Sequence, residues 1–332
     1  MNNTIFVERP LLGHPRVEKI IRKYGRTRVV ECDHYGEIFN RAGQHFRTQK
    51  QTPALILANK NGVKLYEAPN DHAIGAPNNY YFSHMLNCPF DCRYCYLQGK
   101  FNSANYVLFV NYEDFLADID EVRQRHSGAV HVFAGYDCDS LAFEPVTGFV
   151  QWLVEHLRPS PGFFVELRTK SAQIRQLLKT APNASCLVAY SLSPQLIVSE
   201  IENGTADLHE RLNALRQLQD AGWSVGLRLD PLIDFEGCEN VYAEFFQQIA
   251  SSISLTNVHS VTLGTMRFPA NYFKKLTNLY PREALFATMA STSEGAIGYP
   301  PNINKSLLTR AYDFFASHLD AERIHVHHAG EY

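Results

Sequence analysis

The sequence has no run of about 20 apolar residues, the length a membrane-spanning helix needs, and its longer apolar stretches, such as residues 53–58, fall far short. The opening MNNTIFVERP lacks the basic start and apolar centre of a secretion signal. No low-complexity tract, internal repeat or Gly/Ser linker divides the 332 residues. These absences set aside a membrane and leave the cytoplasm as the expected compartment, with one large domain and added segments as the expected organisation. An even, dispersed set of cysteines is missing too. There are seven (Cys32, Cys88, Cys92, Cys95, Cys138, Cys186 and Cys238), an odd number that argues against a disulfide framework.

Net charge is small, −3, but unevenly spread. Residues 1–65 carry 12 Lys+Arg against 5 Asp+Glu, and the remainder carries 19 against 29. Arg22, Lys23, Arg26 and Arg28 therefore form a basic region able to dock on phosphates, or a solvated face with no partner.

Residues 1–75 mix short apolar stretches with Gly, Pro and charge and read as a loosely patterned segment. From residue 78 the pattern is regular. Apolar, β-branched or aromatic runs at 79–84, 130–136, 163–169, 186–193, 224–232 and 260–267 read as buried strands. Between them, 111–125 and 208–221 space apolar residues along one helical face. Strand–helix alternation repeated about six times implies a parallel sheet, and residues 78–275 hold too few units for an eight-fold barrel. The expectation is an α/β partial barrel.

Residues 87–99 read NCPFDCRYCYLQG and place Cys88, Cys92 and Cys95 in a C-x3-C-x2-C spacing. Thiolates ligate iron–sulfur clusters, and three local cysteines leave one iron of a cubane open to bind a substrate. A tetrahedral zinc site needs a fourth ligand, which His84 could supply.

The motif after a first strand resembles the radical S-adenosylmethionine superfamily, whose fold is a partial (β/α)6 barrel. The resemblance implies a 4Fe-4S cluster on Cys88, Cys92 and Cys95, S-adenosylmethionine on the open iron, and a 5′-deoxyadenosyl radical. Further segments resemble the spore photoproduct lyase family: CRYCYLQG, GYDCDS, ELRTKS, YSLSP and IENGTADLHERLNAL, in order from about residue 78 to 268. That family reverses a methylene-bridged thymine dimer in DNA. By position, Cys138 resembles its hydrogen-atom donor, and Tyr96, less directly Tyr94, the tyrosines that relay a hydrogen atom. Ser140, Lys170 and Ser191 resemble residues contacting the methionine part of S-adenosylmethionine. A thiol is a good hydrogen-atom donor, and strand C-termini are where barrel sites cluster. Cys138 as a small buried hydrophobe, Lys170 as a surface ion pair and the tyrosines as packing aromatics remain the structural alternatives.

The resemblance has a gap. The family carries a basic, aromatic β-hairpin near its C-terminus that wedges the lesion out. The corresponding stretch, 280–305, keeps a YP start and a Gly-Tyr but between them has only Arg282. Arg267, Phe268, Lys274 and Lys275 are possible substitutes. His325, His327 and His328 read as a frayed tail or a metal site, Arg228 and Asp230 share one side of a strand, and Cys32, Cys186 and Cys238 read as structural.

The expected organisation is a basic N-terminal segment, 1–77, packing on a radical-enzyme partial barrel, 78–275, with a C-terminal extension, 276–332. The expected activity is that of a lyase acting on a DNA pyrimidine lesion, supplied with electrons by a flavodoxin or ferredoxin. Two alternatives stand beside it: a related radical enzyme acting on another nucleotide, a peptide or a small molecule, and a zinc-stabilised DNA-binding module without catalysis.

Overall fold

Six runs of branched and aromatic residues become six neighbouring parallel strands. The computed structural model describes residues 4–25, 27–69, 73–292 and 295–327. Three strands come first, β1 (Thr4–Glu8), β2 (Arg28–Cys32) and β3 (Leu55–Ala58), then a short β4 (Leu65–Glu67). The first of the six is β5 (Asn78–Phe82), followed by β6 (Met85–Leu86), β7 (Asp91–Cys92) and β8 (Tyr106–Phe109). The other five are β9 (Val130–Ala134), β10 (Phe163–Thr169), β11 (Cys186–Ser191), β13 (Ser224–Leu232) and β14 (Val258–Thr265), with a two-residue β12 (Glu202–Asn203) among them. Last come β15 (Arg267–Pro269), β16 (Ala290–Ser291), β17 (Ala296–Gly298) and β18 (Ile324–His327).

The main sheet runs β18–β14–β13–β11–β10–β9–β5–β4. Every neighbouring pair is parallel except β4 with β5. No pairing among the described residues joins β4 to β18, so the curled sheet stays an open, partial barrel. Alternation sorts its faces. Along β10, Phe163, Val165 and Leu167 enter the main apolar core, while Glu166 and Arg168 point to the concave side. The helices complete that core with their apolar stripes: Phe115, Ile119 and Val122 of Tyr112–Arg125, and Leu208, Leu212, Leu215 and Leu218 of Leu208–Asp220. The second helix is started by a capping box between Asp207 and Glu210.

The N-terminal residues are more regular than their mixed pattern suggests. They build a second sheet, β2–β1–β3–β8–β6, covered by the helix Pro15–Tyr24 through Val17 and Ile20. Strands cross the expected boundary at 77 in both directions: β4 joins the main sheet, and β8 and β6 complete the N-terminal one. The C-terminal His run is a second correction. His325 and His327 lie in β18 at the sheet edge, and His327 Nδ1 bonds Asp230 at 3.1 Å; His328 lies outside the described residues. A strand of four residues with one polar alternate gives too weak a pattern to tell from a tail.

Candidate active site

Chain direction at the cysteine loop is set by Asn87, a non-glycine residue at φ 67°. Its side-chain amide donates to the carbonyls of Ser103 (2.8 Å) and Asn105 (2.7 Å), holding the turn that delivers Cys88. Lys50 donates to the Cys88 carbonyl. Cys92 lies on β7, which pairs antiparallel with β12, and Cys95 closes a turn onto Cys92 at 3.1 Å. Asp91 is clamped by Arg47 at 2.8 and 2.9 Å and by Gln98 at 2.8 Å, so the loop is pinned on both flanks.

Cys95 acts on the charge of both Cys88 and Cys92, and Cys88 on that of Cys92, so the three thiols lie near one another. Burial and then neighbouring negative charge push Cys88 up to about 12 and Cys92 well above the usual thiol range; Cys95 is raised by burial. Cationic iron reverses that preference, because a coordinating thiol is deprotonated outright. A cubane ligates one thiolate per iron, so three nearby thiolates suit it. A single zinc needs a fourth ligand beside them. His84, the sequence's candidate fourth ligand, instead stacks on Phe149 at 4.1 Å in the core, where burial lowers its pKa to about 3.

A second loop faces the first from the end of β9. Gly135 (φ +73°) turns the chain, and a Cβ there would stand 2.8 Å from Ser140 Oγ and 3.3 Å from Cys138 Sγ. Asp139 then fixes the loop, accepting from the amides of Leu141 (3.0 Å), Ala142 (2.9 Å) and Lys170 (2.6 Å) and from Thr169 Oγ1 (2.7 Å). Ser140 Oγ donates to the Ala134 carbonyl at 3.0 Å. Burial, reinforced by Cys88, Asp139 and Asp137, holds the Cys138 pKa well above the usual range, so the sulfur keeps its hydrogen. Tyr96 joins this loop: its hydroxyl donates to the Tyr136 carbonyl at 2.5 Å and lies 3.4 Å from Asp137, which Lys100 and Ser83 hold.

Tyr94 turns elsewhere. Its hydroxyl donates to Glu202, a buried carboxylate that also accepts from Arg211 at 2.5 Å and Ser193 at 3.1 Å. Lys170 Nζ stands 5.4 Å from the Tyr94 ring centre. Burial disfavours its charge, but Glu202 and, when ionised, the sulfurs of Cys92 and Cys95 outweigh that and raise its pKa. Arg211 also reaches the carbonyl of Ser191, the last residue of β11, at 3.0 Å. Glu202, Asp139 and Gly135 were not singled out by sequence. Each sits inside or beside a quoted segment, and a glycine opening GYDCDS was the signal available.

Two suggested substitutes for the missing basic hairpin are not at the surface. Arg267 is 6% exposed and pairs with Asp230 at 2.9 Å, and Phe268 packs in the core near Phe273 and Phe286. A hairpin does form from β16 and β17, but its residues 290–298 include no Lys or Arg, and Tyr299 beyond it is buried. Lys274 and Lys275 are exposed on the helix Ala270–Leu279. Arg228 and Asp230 share the concave side, each in an ion pair, and Cys32, Cys186 and Cys238 are buried and unbridged.

A family model described as spore photoproduct lyase matches residues 4–291. Spore photoproduct lyase of Bacillus subtilis (strain 168) is 22% identical over 291 residues, covering 85% of this chain and 83% of that protein. The enzyme of the same name from Geobacillus sp. (strain Y412MC61) is 24% identical with the same coverage. Among solved structures, spore photoproduct lyase complexed with dinucleoside spore photoproduct superposes with a TM-score of 0.82 at 18% identity over 98% of both chains. A variant of that enzyme with bound AdoMet and dinucleoside spore photoproduct gives 0.81 over 99% of both, also at 18% identity. At such identity these structural likenesses establish the fold.

Proposed function

We propose, since this chain belongs to the spore photoproduct lyase family, that it is a radical S-adenosylmethionine lyase that reverses a thymine-dimer lesion in DNA. The observation carrying this reading is the family match over residues 4–291, which spans both the cysteine loop and the loop of Cys138. When bound, the 4Fe-4S cluster and S-adenosylmethionine supply one-electron cleavage of a carbon–sulfur bond and the resulting 5′-deoxyadenosyl radical. Cys88, Cys92 and Cys95 would hold the cluster through one thiolate each, leaving an open position for S-adenosylmethionine. Ser140, Lys170 and Ser191 orient the methionine end, Lys170 as a cation toward its carboxylate. Cys138 offers the hydrogen on its sulfur to the repaired base. Tyr96, backed less directly by Tyr94, would resupply the hydrogen that Cys138 gives up and be refilled from the 5′-deoxyadenosine side, so that the radical passes back there.

Residues 78–275 carry this chemistry, and the flanking segments extend the main sheet through β4 and β18. A flavodoxin or ferredoxin in the cytoplasm supplies the electron. No helix among the described residues is long and apolar enough to cross a membrane. The deciding experiment is an anaerobic assay of reconstituted enzyme with irradiated DNA carrying spore photoproduct, scored for restored thymine. 5′-Deoxyadenosine formed with no thymine restored would move the substrate to another nucleotide, a peptide or a small molecule.

A further inference from the structure

The concave face of the barrel holds more positive charge than its own carboxylates require. Glu166 accepts from Arg228 Nε at 3.0 Å and Nη2 at 2.7 Å, and both side chains are 0% exposed. Ser260 completes Arg228 through its carbonyl and hydroxyl, each at 3.1 Å, and His131 Nε2 lies 3.0 Å from Glu166. One buried carboxylate is thus already matched by one guanidinium. Arg168 adds a second, touching Glu166 only through Nε at 3.0 Å. Among the described residues no protein group bonds its two terminal amino groups.

Its position makes this unusual. Arg168 lies in a central strand of an eight-stranded sheet, yet its side chain is 39% exposed. The convex face there is filled by Val165 and Leu167 under the helices, so the exposure opens onto the lumen. The guanidinium carbon lies 5.8 Å from the ring centre of Phe133, and the Arg168 carbonyl accepts the Ser140 amide at 3.0 Å. Arg168 therefore sits one layer beneath the Cys138 loop and two residues before Lys170. An uncompensated guanidinium in a walled lumen favours an anion with two oxygens in one plane, which its fork pairs bidentately.

We infer that Arg168 is a specificity-determining contact for the phosphodiester that joins the two nucleosides of the lesion. This rests on the repair function proposed above. Lys170, the neighbouring cation, is already assigned to the carboxylate of S-adenosylmethionine, which leaves the substrate's own oxyanion for Arg168.

The test compares repair of dinucleotide and dinucleoside spore photoproduct, which differ by that phosphodiester. The wild-type kcat/KM should favour the dinucleotide by about 10- to 100-fold, the worth of a charge-assisted hydrogen-bond pair. Arg168→Gln should bring the ratio towards one. Arg168→Lys, which keeps a cation beside Glu166 and serves where the glutamine variant unfolds, should retain part of it. A wild-type preference undiminished in both variants overturns the inference, as does a rise in the KM for S-adenosylmethionine at constant ratio. Repair of neither substrate by the wild type would bring down the functional reading, and this inference with it.

Discussion

Cys138 is separated from a merely packed cysteine by what surrounds it: a glycine that clears space beside its sulfur, Asp139 tying the loop to β10, and Tyr96 bonded to the next residue but one upstream. A packing role predicts that Cys138→Ala changes little. Donation of a hydrogen atom predicts that 5′-deoxyadenosine still forms while the repair product changes, for instance to an adduct with an added reductant. Product analysis by mass spectrometry decides, and unchanged products at a near-normal rate would end the assignment. Gly135→Ala tests the turn itself. A Cβ in the left-handed region costs about 1–2 kcal/mol, and here it would also meet Ser140 Oγ at 2.8 Å. S-adenosylmethionine cleavage should fall by about 10- to 100-fold, the scale of a small misplacement in a site. Cys92→Ala should lose most bound iron, read by iron analysis of anaerobically reconstituted protein, because each cysteine supplies one thiolate.

The short helix Glu144–Thr147 and its successor Phe149–His156 are joined by a carboxylate. Glu144 accepts the amides of Val150 and Gln151 at 2.9 Å each, and burial nevertheless pushes its pKa up to about 7 from 4.5. The sign follows from that direction. Below pH 4.5 both folded and unfolded chains hold the proton; between 4.5 and 7 the unfolded chain releases it first; above 7 the folded chain also pays for burying the charge. Stability should therefore fall by up to about 3 kcal/mol as pH rises through that window, at 1.36 kcal/mol per unit. Urea unfolding of Glu144→Gln against wild type from pH 5 to 8 checks this: the variant's profile should be flatter, and parallel profiles would refute it. Elements of this kind were partly legible in the sequence. Phe163–Thr169 and Ser224–Leu232 are strands over the spans their branched and aromatic runs marked. β1, β3 and β8 went unread because four or five residues carry little periodicity, and pairing across fifty positions leaves no local trace. The cysteine loop stood out in the sequence since metal chemistry asks for residue type and spacing together. Glu202 was not, because a buried carboxylate is defined by what folds around it.

At the scale of the whole molecule, the two sheets meet where the site is. Ile21, Tyr24, Cys138 and Val146 all pack against the N-terminal core, so the helix Pro15–Tyr24 shares a core with the loop that bears Cys138. That helix exposes Arg22 and Lys23, and β2 exposes Arg28; Arg26 lies outside the described residues. On another element, Lys275 donates to the Gly99 carbonyl just past the cysteine loop, with Lys274 beside it. The hairpin of β16 and β17 offers no base. Extruding a lesion from duplex DNA costs a few kcal/mol that phosphate contacts help to offset, and these two exposed basic groups are candidates for part of them. Binding of duplex DNA should then weaken with salt by about 0.9 log units per neutralised phosphate per log unit of salt. Arg22→Glu, Lys23→Glu and Arg28→Glu together should lower that slope by up to about 3 and weaken binding to all sequences alike. Lys274→Glu with Lys275→Glu should lower it by up to about 2 on the same scale. Fluorescence anisotropy across a salt series measures both. A slope unchanged by the first set would mean that the N-terminal layer faces away from the duplex, and duplex binding undetectable even at low salt would move the substrate to another nucleotide, a peptide or a small molecule.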